Sequence, residues 1–268
     1  MQNDMTTITN EEFSKPNKVV LPVINPIQNP EVLIFDLNDI KYLRDLKILG
    51  TLIGTLQNFP QQNLFLSIPL KINVYDVIWL VKYDHGVLVD QLAYRNERRL
   101  KTTTKSKNLN HNGSVILIPS TESDRDWDLI NKNKLSIKQY LHSYLHTQTN
   151  KSNISRYFHY YNFLINQGFY INPGLKFGGD FVIYPGDPLR YHSYSTIKFE
   201  FIDCYEIISG GRLATSVKKN LILMGERNKS SKVEEKDDKE VVVDDDFIEE
   251  LFDDEVPLCF SIEWAGFG

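Results

Sequence analysis

The sequence predicts a mixed α/β fold of the α+β kind in two parts, a small N-terminal α+β domain and a larger C-terminal domain built on a mixed sheet. Three observations carry this. Short apolar runs such as Val32-Leu33-Ile34-Phe35 and Leu221-Ile222-Leu223-Met224 read as strands, and segments with apolar residues three and four apart lie between them. These runs fall into two groups, separated by a basic and weakly patterned stretch. A chain of 268 residues with 41% hydrophobic content is also long enough for one large domain or two modest ones, each with its own core.

Taken in order, residues 1–30 are rich in Asn, Thr and Gln, and Pro16, Pro22, Pro26 and Pro30 interrupt any period, so a mostly disordered tail is expected. Residues 31–94 form the N-terminal domain: a strand at 32–35, a short helix from Asp36 to Leu46, an apolar run at 64–68, a helix from Val74 to Val81 and a strand at 87–89. Arg95 to Lys107 holds six basic residues and one acidic residue, and a polar stretch continues to about Lys134. Residues 95–135 therefore read as a basic linker, either a solvated hinge or an RNA-contacting arm.

The C-terminal domain spans 136–268. Ile154, Tyr157, Phe158, Tyr161, Leu164 and Ile165 share one helical face, and Gly168 stands where the helix should stop. Strands are expected at 169–172 and 180–184. From Thr196 to Ile202 the pattern alternates, with Ile197, Phe199 and Phe201 opposed to Lys198 and Glu200. A helix near 205–217, a strand at 221–224 and a last strand at 258–264 complete the sheet. An acidic insertion at 229–255 separates those two strands; its apolar Phe247-Ile248 and Leu251-Phe252 suit a segment that docks into a basic groove on a partner subunit as well as a solvated one.

The net charge of -5 hides an asymmetry. Residues 234–255 carry thirteen acidic and two basic residues, which leaves about +6 on the rest, a balance that permits a polyanionic partner. No stretch approaches the roughly 18 to 20 apolar residues of a membrane helix, and Met1 to Asn10 lacks the basic flank and apolar run of a secretion signal, so a soluble intracellular protein is expected. Cys204 and Cys259 sit apart in apolar surroundings and are expected to be buried free thiols.

Among residues that could carry chemistry, His142 and His146 have the four-residue spacing of a metal-binding helix, but no third ligand stands near them. Gly174-Leu175-Lys176-Phe177-Gly178-Gly179-Asp180 is glycine-rich, yet it leads into a strand rather than a helix N-terminus, which favours a close backbone approach over a phosphate cradle. In Tyr184-Pro185-Gly186-Asp187-Pro188-Leu189-Arg190-Tyr191-His192, a strand ends in a tyrosine and two prolines stiffen the loop presenting a histidine. Taken alone, that loop is also only a turn.

The motifs Lys176 to Phe181, Tyr184 to Leu189, His192-Ser193 and Gly211 to Lys219, with the ending Phe260 to Gly268 and the run Asn63 to Ser67, together resemble the tRNA-splicing endonucleases, in particular the fungal type of subunit that cuts the 3' splice site. The likeness covers most of 31–94 and 151–268. It implies a restriction-endonuclease-like nuclease domain and a triad of Tyr184, His192 and Lys219, the last chosen over its neighbour Lys218 by that likeness. It also implies precursor tRNA as substrate, partner subunits in a heterotetramer, no cofactor or metal, and a location in the nucleus or, as in yeasts, on the cytosolic face of the mitochondrial outer membrane.

The chemistry suits those side chains. A histidine with an ordinary pKa of about 6.5 can act as a general acid near neutrality, whereas a tyrosine at about 10 needs a neighbouring cation to act as base. Lys219 would supply that cation and hold charge on the phosphate. Lys176, Arg190 and Arg212 are candidate phosphate contacts. The rival readings are a noncatalytic subunit of the same complex, and a metal-dependent nuclease using Asp180, Asp187 or Glu200.

Overall fold

In the computed structural model, residues 18–54, 67–105, 125–146, 153–200, 203–226 and 243–263 are described, with the side chains of 102–105 excepted. The expected strand start at 64–66, Phe201 and Ile202 of the alternating strand, and much of the acidic insertion lie outside them.

The first unit is a five-stranded sheet in the order β3-β4-β2-β1-β5, formed by β1 (Val19–Ile24), β2 (Glu31–Ile34), β3 (Thr51–Gly54), β4 (Ser67–Ile72) and β5 (Gly86–Asp90). β1 and β5 are parallel and the other pairs antiparallel. Helix α1 (Leu37–Asp45) starts where the Asp36 carboxylate accepts from Asn38 N, and α2 (Val74–Lys82) starts in a capping box between Asn73 and Asp76.

The structure departs from the tail reading. β1 is an inner strand, and Val19, Leu21 and Val23 are buried on one face. This alternation is a strand signal that the prolines mask. Pro22 is tolerated because the registered pairing with β2 begins only at Val23, so no ladder donor is missed there. The linker reading also changes. Gln91–Lys105 forms α3 and Trp127–Lys132 forms α4; Tyr94, Leu129 and Ile130 pack with Val87 and Val89 of β5. The basic residues of 95–101 belong to a helix with a buried side, and Lys101 pairs with Asp126 as Glu97 does with Lys132.

The second unit contains α5 (Ile137–His146), α6 (Ile154–Asn166), α7 (Cys204–Ser216) and α8 (Asp245–Phe252) around a sheet in the order β10-β9-β8-β7-β6. Its strands are β6 (Tyr170–Pro173), β7 (Phe181–Tyr184), β8 (Ser195–Phe199), β9 (Asn220–Gly225) and β10 (Leu258–Ile262). β8 and β9 are parallel; the remaining pairs are antiparallel. α6 carries the predicted apolar face, and Gly168 ends it in the left-handed region at φ 98°.

The two units share one core. Tyr75 of α2 stacks on Tyr161 of α6 at 5.9 Å and meets Phe181 of β7 edge-on at 5.8 Å. The buried Tyr161 hydroxyl donates to Asp76 at 2.5 Å. Burial of Asp76 raises its carboxyl to about 6 against the pull of those hydrogen bonds.

The described part of the acidic insertion docks on its own chain. Leu251 of α8 is fully buried, while Val243, Phe247, Ile248 and Phe252 pack against the core. His159 Nε2 lies 3.0 Å from the Glu250 carbonyl, and Lys138 pairs with Asp245. Neither cysteine is buried: Cys204 heads α7 and Cys259 lies on β10, both exposed as free thiols. No helix among the described residues is long and apolar enough to cross a membrane.

Candidate active site

The sheet register gathers the site. Ile183 of β7 pairs with Ser195 of β8, and Ser195 pairs with Asn220 of β9. One step beyond that row stand Tyr184 on β7, Tyr194 before β8 and Lys219 before β9. Asn220 N donates to the Tyr194 carbonyl at 2.9 Å, which extends the ladder to this edge. Phe181, Ile183, Ile197 and Phe199 face the α6 side, so the alternating pleat sends Tyr184 to the other face. Lys219 shares the parity of Leu221 and Leu223, which pack with Ala214 of α7 on that same other face. Two strand spacings separate the backbones of Tyr184 and Lys219 by about 10 Å. Two long side chains can span that gap with a phosphate between them.

His192 is exposed in the loop between β7 and β8, two residues before Tyr194, and so stands at the same end of the sheet. The loop is wound around Asp187. Its carbonyl accepts from Arg190 N at 2.8 Å and Tyr191 N at 3.0 Å, and its carboxylate accepts from Leu189 N at 2.9 Å. Arg44 of α1 donates to both carboxylate oxygens, Nε at 2.8 Å and Nη2 at 2.6 Å. This guanidinium holds the Asp187 carboxyl down at about 2.

The end of α7 sets its two adjacent lysines apart. Lys218 N donates to the Thr215 carbonyl and Lys219 N to the Ala214 carbonyl, with Lys218 left-handed at φ 56°. That is the Schellman arrangement, normally closed by glycine. Lys218 is spent on the turn and exposed, whereas Lys219 Nζ donates to the Ser193 carbonyl at 2.7 Å and also to the Ser193 hydroxyl. The Phe177 ring lies 4.7 Å from the same ammonium. Burial lowers the Lys219 pKa below the ordinary lysine value.

The glycine-rich segment contributes this wall. Leu175–Phe177 is a single 3-10 turn, and a Cβ on Gly179 would stand 2.3 Å from Thr196 Cγ2 and 2.6 Å from the Ile197 carbonyl. The predicted close approach is thus to the protein's own β8. Lys176 is exposed on that turn, Arg190 on the loop and Arg212 on α7, whose Leu213 abuts Gly178. Sequence reasoning did not single out Phe177 as a lysine partner or Arg44 as the loop's anchor, and an arginine closing a short helix has no signal that points 143 positions down the chain.

The three carboxylates of the metal reading do not form one group. Asp180 accepts from Phe199 N at 2.8 Å, Asp187 is held by Arg44, and Glu200 pairs with Arg156. His142 and His146 are both exposed on α5. Among the described residues no group of three or more His, Cys, Asp and Glu is placed to hold a metal ion. A cavity of about 260 Å³ between β1, α3 and Arg125 shares no residue with this site.

An exposed sheet end bearing a tyrosine, a histidine and a lysine suits proton transfer on a large charged substrate, and family comparison gives the class. Residues 154–234 match the family described as tRNA intron endonuclease, catalytic C-terminal domain, and residues 23–91 match TSEN34-like, N-terminal domain. The chain belongs to the tRNA-splicing endonuclease family and carries its catalytic endonuclease domain.

Its relatives are more particular. Across 88% of its length the chain is 28% identical to a Schizosaccharomyces pombe protein named as a probable tRNA-splicing endonuclease subunit sen34, covering 95% of that protein. It is 27% identical, again over 88%, to the tRNA-splicing endonuclease subunit SEN34 of Saccharomyces cerevisiae, covering 99% of it. A shorter match, 43% over 67 residues, reaches the corresponding mouse subunit and covers 24% of this chain and 21% of the mouse one.

Proposed function

We propose that this chain is the subunit that cuts precursor tRNA at the 3' splice site, acting within a heterotetramer of endonuclease subunits. The observation that carries the reading is the Ile183, Ser195 and Asn220 register, which sets Tyr184, the His192 loop and Lys219 at one end of three adjacent strands.

Cleavage begins when the Tyr184 phenolate takes the proton of the ribose 2'-OH and the 2'-oxygen bonds to phosphorus. The bond from phosphorus to the 5'-oxygen breaks, and protonated His192 gives its proton to that leaving oxygen. The products are a 2',3'-cyclic phosphate and a 5'-hydroxyl. Lys219 faces the non-bridging oxygens as negative charge builds on them. The Ser193 carbonyl and hydroxyl hold the Lys219 ammonium in place before substrate arrives. The exposed Lys176, Arg190 and Arg212 serve as phosphate contacts around a site that reads RNA by shape.

Reconstituting the complex with His192→Ala tests this. The expected result is loss of the 3' cut with the 5' cut retained, in buffer containing excess EDTA. Unchanged cutting at both sites would remove this chain from the chemistry, and loss of the wild-type 3' cut in EDTA would sink the metal-free mechanism.

A further inference from the structure

We infer that Arg44 of the N-terminal unit is a positioning residue for catalysis, acting through Asp187 to fix the loop that presents His192. This rests on the proposed role of His192. Directly after His192, Lys219 holds the buried Ser193 by its carbonyl and hydroxyl. Before His192 the loop lies open: Leu189 is 70% and Tyr191 52% exposed, and Arg190 is exposed too. Within the loop, the Tyr191 ring lies close over Gly186, where a Cβ would stand 2.6 Å from it. That contact shapes the turn but fastens it to nothing outside.

Asp187 gathers the loop's own backbone, with the amides of Leu189, Arg190 and Tyr191 all bonded to it. The tie from that hub to the rest of the molecule is the two-bond grip of Arg44. A planar guanidinium on both carboxylate oxygens fixes orientation as well as distance, which a single lysine bond cannot do. His192 lies five residues beyond the hub. A displacement of about 1 Å in a reacting group costs on the order of a hundredfold in rate, so the grip matters to chemistry more than to stability. The N-terminal unit is then part of the catalytic machinery of the second unit, although it supplies no group that touches the reacting atoms.

The test uses the full chain in the reconstituted complex, with Arg44→Ala, Arg44→Lys, Asp187→Asn and the double variant Arg44→Ala/Asp187→Asn. Single-turnover rates at both splice sites and precursor affinity are measured beside His192→Ala. We expect Arg44→Ala and Asp187→Asn each to slow the 3' cut by roughly 10- to 100-fold, with precursor affinity and the 5' cut within about twofold of wild type. Arg44→Lys should recover part of the rate, and the double variant should be no slower than the slower single one. An unchanged 3' rate overturns the inference, as do additive losses in the double variant. Weakened precursor affinity with an intact rate overturns it too, because Arg44 would then be an RNA contact. If Arg44→Ala does not assemble, the Arg44→Lys and Asp187→Asn rates carry the same decision. Cutting by His192→Ala would instead overturn the functional reading, whereas its loss beside an unaffected Arg44→Ala would overturn the positioning role alone.

Discussion

Lys218 and Lys219 differ by one position and by everything the α7 turn imposes, so exchanging them out of the chain one at a time should separate a structural lysine from a catalytic one. Lys218 occupies the left-handed position that a Schellman turn reserves for glycine. A non-glycine residue there costs about 1–2 kcal/mol, and glycine gives back about 0.5–1 kcal/mol through greater freedom of the unfolded chain. Lys218→Gly should therefore stabilise the protein by roughly 0.5–1 kcal/mol and leave the 3' cutting rate within about twofold. On the proposed mechanism Lys219→Ala removes the ammonium that faces developing charge, a loss on the order of 10²- to 10³-fold in rate, or about 3–4 kcal/mol. It also leaves the Ser193 hydroxyl without this donor. Single-turnover cleavage by the reconstituted complex and denaturant unfolding of the same preparations check both halves. A Lys218→Gly variant that loses the 3' cut as Lys219→Ala does, or a Lys219→Ala variant that cuts normally, would refute the assignment and the geometry behind it.

Leu251→Ala should undock α8 without unfolding the chain: truncating a fully buried leucine costs about 3 kcal/mol, which corresponds to a roughly hundredfold faster hydrogen exchange at the amides of 248–252 and little change in the global midpoint. Equal loss in both measurements would make α8 part of the global unit. Gly179→Ala should destabilise by about 3 kcal/mol in denaturant melts, since its Cβ meets the β8 backbone as well as a movable side chain; wild-type stability would mean that the turn is not seated on β8. Asp76, raised to about 6 in the fold and about 4 when unfolded, favours the folded state most below pH 4, and its contribution is lost as pH rises through about 6. Asp76→Asn should flatten the stability profile between pH 4 and 6, and an unchanged slope across that window would show that Asp76 does not titrate there.

Much of the architecture is legible in the residues because it depends on local periodicity. The α6 stripe from Ile154 to Ile165 and its stop at Gly168, the strand at 221–224, and the alternation of Ile197 and Phe199 all specify their own conformation by which face must be dry. Where two local signals conflicted, sequence reading followed the wrong one: the prolines near β1 outweighed the alternation of Val19, Leu21 and Val23, and the charges of α3 outweighed its buried face. The likeness of Tyr184, His192 and Lys219 to a family motif named the candidate site residues without showing which strands bring them to one end of the sheet.

By itself, then, the sequence determined the elements whose periodicity no proline or charge run masks, the family and the residue types available for acid and base work, since these are properties of neighbours along the chain. Tertiary structure decided what depends on partners far apart in sequence. It set the parallel β8 and β9 register beside antiparallel β7, turned Lys218 outward and Lys219 onto Ser193, returned the acidic α8 to its own core, and put Arg44 on the Asp187 carboxylate. Each of these joins groups across long loops, where the deciding term is which surfaces can be buried or paired together, and a one-dimensional pattern carries no record of that choice.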